Sequence, residues 1–162
     1  MNGSRENRAQ GASEKPGRRS GVFNLATARR MLPLVQRVVS DVVHYRRLLA
    51  QLRPEQTRLD RQRRTLAWPE RCQRYRIQEE VAAADRRLQE ALEELAGLEV
   101  VLLDPQVGRV GFPTMVNNRQ AFFSWQLDEE GLKHWHFPED EARRLIPASW
   151  AKAANTRLTA NS

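Results

Sequence analysis

The chain has 162 residues, 40% of them hydrophobic, and a formal net charge of +7. That is room for one domain with a real core plus tails, and no apolar run approaches the roughly 20 residues needed to span a bilayer. The opening MNGSRENRAQGASEKPGRRSG has no hydrophobic stretch after its basic residues, so it is not a secretory signal; with a single cysteine, Cys72, the reading is cytoplasmic and membrane-free.

In chain order, residues 1–21 read as a disordered basic tail, because their Gly, Ser and Arg content cannot bury enough surface to order itself. A single α+β domain is expected over 22–148: a helical hairpin at 24–98, a β-meander at 99–138 and a C-terminal segment at 139–148. Residues 149–162 read as a flexible tail.

The first helix starts at Asn24, a natural N-cap, with Phe23 placed for a hydrophobic staple. Ala28, Met31, Val35, Val38, Val42, Tyr45, Leu49 and Leu52 alternate spacings of three and four, a coiled-coil-like heptad seam. Leu32, Val39 and Val43 widen that stripe, so the helix needs a second cover besides its hairpin partner. Pro33 predicts a kink, and Pro54 ends or restarts the segment. The connector 53–69 is long enough to hold helical turns of its own. Pro69 and Glu70 open a second helix, whose seam is Ile77, Val81, Ala84, Leu88, Ala91, Leu95 and Leu98. Two long seams of similar reach predict an antiparallel hairpin.

Beyond Leu98 the period changes. Asp104-Pro105, Asn117-Asn118 and the DEEG stretch Asp128 to Gly131 are turn clusters between apolar and aromatic runs. They predict an antiparallel meander of three or four strands packed on the hairpin. A four-residue loop at Asp128 to Gly131 would pair Trp125 with His134 and Phe123 with His136, placing both histidines on the more apolar face.

His134 and His136 have the i, i+2 spacing that real zinc sites use on strands. A third ligand would come from Glu139, Asp140, Asp128 or His44, none at a diagnostic spacing, and Cys72 has no CxxC partner. There is no P-loop, glycine-rich dinucleotide fingerprint, HExxH or nucleophile with a recognisable base. The sequence therefore specifies no catalytic residue and no cofactor.

Charge is polarised. Residues 1–67 carry 15 Lys/Arg against 5 Asp/Glu, whereas residues 68–150 carry 10 against 15. Opposite halves neutralise each other when they pack, so the total charge says little by itself. The leading expectation is a non-enzymatic protein-binding or scaffolding module, with a protein partner or self-association. Its candidate binding surface is Trp125, Trp135, His136, Asp140 and Arg144. Two alternatives stand beside it: nucleic-acid binding through the arginine-rich first helix and connector, and a metal-dependent activity centred on His136.

FNLATARRMLPLV, DPQVGRVGFP, SWQL and HWHFPEDEARRLIP follow one another in an order that resembles a bacterial family known as domain of unknown function number 2203. The resemblance covers about Phe23 to Pro147 and implies a shared fold and a bacterial cytoplasmic setting, with no assigned reaction. The sequence departs from the family pattern at several polar positions. Gly111 stands for an Asp, Ser124 for a Cys, Gln126 for an Arg and His134 for a Tyr, and the Gly-Glu step is blurred into DEEG. His136 keeps the family residue.

Overall fold

The computed structural model describes residues 21–156; the expected basic tail lies outside them except for Gly21. Within that span the architecture is α+β, a long two-helix hairpin packed on a five-stranded antiparallel sheet. Helix α1 is Leu25–Arg61 and α2 is Trp68–Gly97. The strands are β1 (Val101–Asp104), β2 (Arg109–Val116), β3 (Arg119–Gln126), β4 (His134–His136) and β5 (Arg144–Leu145), in that order across the sheet, followed by α3 (Ala148–Thr156).

The α1 N-terminus forms as its sequence dictates: the Thr27 amide donates to Asn24 Oδ1 at 2.8 Å. Phe23 turns its ring onto Phe112 of β2, at 5.4 Å between centroids. The Phe23 amide donates to Pro113 O and the Thr114 hydroxyl donates to Phe23 O, tying the entry of α1 to the sheet. Helix α1 does not stop at Pro54. It runs on to Arg61, because Leu59 and Leu66 close a second apolar cluster with Leu49, Ile77, Val81 and Ala84. Burial of that cluster outweighs the one backbone hydrogen bond a helical proline forfeits.

Two cores result. The basal one joins α1 up to Val43, α2 from Ala91 and the sheet residues Val110, Phe112, Phe123, Trp125 and Trp135. Here Val39 and Val43, the residues that widened the α1 stripe, meet the β1–β2 turn at Gly108. The distal core belongs to the helices and their connecting loop alone. The hairpin therefore continues beyond its base as an arm, whose antiparallel register shows in the Arg53–Asp85 and Arg74–Asp60 ion pairs.

The turns match their chemistry. Asn117 and Asn118 both take positive φ (50° and 61°), as a two-residue hairpin with right-handed strand twist requires. Asp104 accepts from the Gln106 amide at 2.9 Å. The stretch expected to be a flexible tail begins instead with α3, and Trp150 packs on Trp135 and Phe123 with centroids 5.2 and 6.4 Å away.

Candidate functional site

The β3–β4 register differs by one residue from the expected pairing: Ser124 faces His134, Phe123 faces Trp135 and Phe122 faces His136. Because strand side chains alternate, this turns every β4 residue over. Trp135 goes to the helix-covered core and both histidines go to the outer face. Burying an indole in place of two imidazoles favours this register. The loop supports it, since Asp128 and Gly131 both take positive φ and the Trp125 indole donates to Glu129 O at 3.0 Å.

The expected binding surface is thus divided between two faces. Trp125 and Trp135 are core residues, 1% and 8% exposed. His136 is buried on the outer face, its ring 5.7 Å from Phe122 and its Nδ1 2.8 Å from Phe137 O. Asp140 accepts from the Phe137 amide and pairs with Arg144 at 3.2 Å. Arg144 also lies over the Trp135 ring, so the two charged residues fasten the C-terminal segment to β4. His44 stacks on Tyr45 of α1. Among the described residues, no group of three or more His, Cys, Asp and Glu side chains is placed to hold a metal.

Glu129, read only as part of a turn, is the centre of a polar cluster on the sheet. Its carboxylate accepts two guanidinium bonds from Arg143 and the Gln126 amide, and it lies 4.0 Å from His134 Nδ1. The Arg143 guanidinium, opposed by partial burial and assisted by the Gln126 amide, holds this carboxyl below its ordinary range. Beside it, Gln126 Oε1 accepts from Arg109 at 2.8 Å. Two polar atoms here are buried without a partner, Ser124 Oγ and His134 Nδ1.

The second concentration of polar and aromatic groups is the tip of the arm. Leu66, 4% exposed, plugs the end of the hairpin, and the Thr65 amide closes the loop onto Gln62 O at 2.9 Å. With Leu66 turned inward, Arg63, Arg64 and Trp68 are left outside. Trp68 is 72% exposed and Tyr75 61%. Seven residues apart, these two aromatics stand within about 20° of one another around α2, two turns along it and opposite the buried Ile77. Cys72, exposed, lies between them. Exposed whole aromatics are costly to leave in water, and paired on one helix face they mark a contact surface. The signal was present in the sequence: Trp68 and Tyr75 fall off the apolar seam of α2.

Around this stripe, residues 58–76 hold seven arginines against two acids. Arg58 pairs with Glu55 and Arg74 with Asp60, whereas Arg61, Arg63, Arg64 and Arg76 are exposed and form no ion pair among the described residues. An open cleft of about 610 Å³ between α1 and the β3–β4 loop is a third concavity; Arg37 on one wall and Asp41, Asp128 and Glu129 around it give it no single charge preference.

The family model for uncharacterized conserved proteins, DUF2203, matches residues 21–146. The chain belongs to the DUF2203 family. Searches of the curated proteins and of the solved structures each give no match. The register now gives the departures from the DUF2203 pattern a physical meaning. Gly111, Ser124 and His134 form one row across β2, β3 and β4 on the outer face. In this DUF2203 chain the row is filled: a Cβ at Gly111 would stand 2.7 Å from the Phe122 ring and 3.0 Å from Leu103. Ser124 is 0% exposed beneath that cover. Among the described residues no helix is long and apolar enough to cross a membrane.

Proposed function

We propose that this DUF2203 protein is a non-enzymatic binding and scaffolding module of the bacterial cytoplasm. The sheet and proximal hairpin are its platform, and the distal hairpin is the arm that meets a macromolecular partner. The observation that carries this reading is the exposed Trp68–Tyr75 stripe on an arm with its own closed core. Leu59 at 0% exposure and Leu66 at 4% make the tip a firm support, so exposing an indole there is a property of the folded state. The free, exposed thiol of Cys72 suits a reducing compartment.

Cys72 also supplies the test, because it lies between the two aromatics. Its alkylation rate is measured for the full chain in buffer and in a desalted extract of the producing cells. A second protein, C72S/V107C, reports on the base. The proposal expects Cys72 to react several-fold more slowly in the extract while position 107 does not change. Equal rates for Cys72 in both media would end it.

A further inference from the structure

We infer that the arm tip binds single-stranded nucleic acid, with Trp68 as a stacking platform and Arg61, Arg63 and Arg64 as phosphate contacts; this rests on the arm being the binding element. Three observations converge on it. The first is the exposed aromatic pair on one face of α2, at a separation of about 10 Å along the helix. Bases have π-faces whatever their identity, so a rigid exposed indole takes an unpaired base without reading its sequence. A duplex, whose bases are already stacked on each other, offers Trp68 only its ends.

The second is charge. A protein that neutralises phosphates releases condensed counterions, and this term supplies most non-specific affinity. The arginines needed must be free to leave no carboxylate behind, and Arg61, Arg63, Arg64 and Arg76 are in that state. Arg61, Arg63 and Arg64 line one shallow depression with Thr65, next to the start of α2 where Trp68 stands. An arginine beside an aromatic is the pairing that a stacked nucleotide with a flanking phosphate requires.

The third is where the charge stops. Further down α2 and into the strand entry, residues 77–100 hold seven acids against two arginines. A polyanion is attracted to the tip and repelled from that flank of the arm. The arm thereby restricts a flexible anionic chain to its end, which a uniformly basic surface would not do. An acidic protein segment would satisfy the arginines as well, but it has no use for Trp68 and Tyr75 in the same way, and the two are separable by experiment.

The full chain is titrated into fluorescein-labelled dT and rU oligonucleotides of about 15 residues, the same length of duplex, and labelled polyglutamate, with anisotropy as the readout. The inference expects both or one of the single strands to bind more tightly than duplex, with the dT and rU arms deciding between DNA and RNA. Trp68→Ala should weaken single-strand binding about 5- to 100-fold, and Trp68→Phe should retain most of it. Arg63→Gln/Arg64→Gln should flatten the dependence of log affinity on log salt by about one unit. Trp68 is mostly solvent-exposed, so these variants keep the fold. No single-strand binding at low salt, or affinity indifferent to Trp68→Ala, overturns the inference. Trp68-dependent binding of polyglutamate in preference to the oligonucleotides overturns it in favour of an acidic protein partner. If Cys72 is protected in extract while oligonucleotides fail, the binding arm survives and its nucleic-acid ligand does not.

Discussion

Replacing Gly108 with alanine tests how tightly the β1–β2 turn is pressed into α1. Gly108 has φ of +67°, where a Cβ costs about 1–2 kcal/mol. The added methyl would also stand 2.9 Å from Val39 Cγ1, 3.0 Å from Leu127 Cβ and 3.1 Å from Val43 Cγ2. Leu127 Cβ is fixed to the backbone and cannot swing aside, so overpacking adds about 1–3 kcal/mol. The expected loss is about 3 kcal/mol, a fall in Tm of roughly 10 °C for a domain of this size. Gly97→Ala is the control: nothing lies within 4 Å of its Cβ position, it is helical, and the change should be neutral or stabilising by up to about 1 kcal/mol. Urea denaturation followed by circular dichroism measures both. A Gly108→Ala protein within about 0.5 kcal/mol of the parent would show that the turn does not seat on α1, and the two-core description would fail.

Three further outcomes follow from particular contacts. Leu59→Ala, at 0% exposure in the distal core, should cost about 2–5 kcal/mol and speed amide exchange in the arm before the sheet. Gly111→Asp, which places the family's acid back in the filled row, should cost more than about 3 kcal/mol, since the carboxylate meets the Phe122 ring 2.7 Å from its Cβ; a stable Gly111→Asp protein would show that the row can open. Glu129 binds its proton less readily folded than unfolded, so its stabilisation is present above the ordinary carboxylate value of 4.5 and is lost as pH falls through the folded value. Glu129→Gln should therefore lower stability at neutral pH by about 1–2 kcal/mol and flatten the acid limb of the stability profile, read from urea midpoints between pH 7 and 3.

Much of the architecture is legible before any coordinates. The heptad seams are long and uninterrupted, so periodicity alone identifies both helices, and Asn24 and the Asn117-Asn118 turn act through local chemistry that needs no tertiary context. What is not legible depends on energies that only packing decides. Pro54 is a stop signal locally, yet Leu59 and Leu66 carry the helix past it. The β3–β4 register turns on whether Trp135 or a histidine pair is buried, a choice made by the shape of the α1 surface beneath. Trp150 reads as part of a polar tail until Trp135 and Phe123 are seen to leave a place for it. For the candidate site the balance is reversed. The histidines draw the eye through residue type, whereas Trp68 and Tyr75 stand out only once exposure separates them from the seam.

The most direct test of an arm held clear of its base is a distance in solution, and the single native cysteine makes it accessible. Gly108 packs at the level of Val39 and Val43, while Cys72 lies near the level of Arg61, about 20 residues further along α1. At 1.5 Å per residue, spin labels on Cys72 and on Val107→Cys should therefore lie about 30 Å apart along the hairpin, in one narrow pulsed-EPR distribution. A distribution centred below about 20 Å would mean that the distal hairpin folds back over the sheet, and the projecting arm, with the tip presented at its end, would be contradicted.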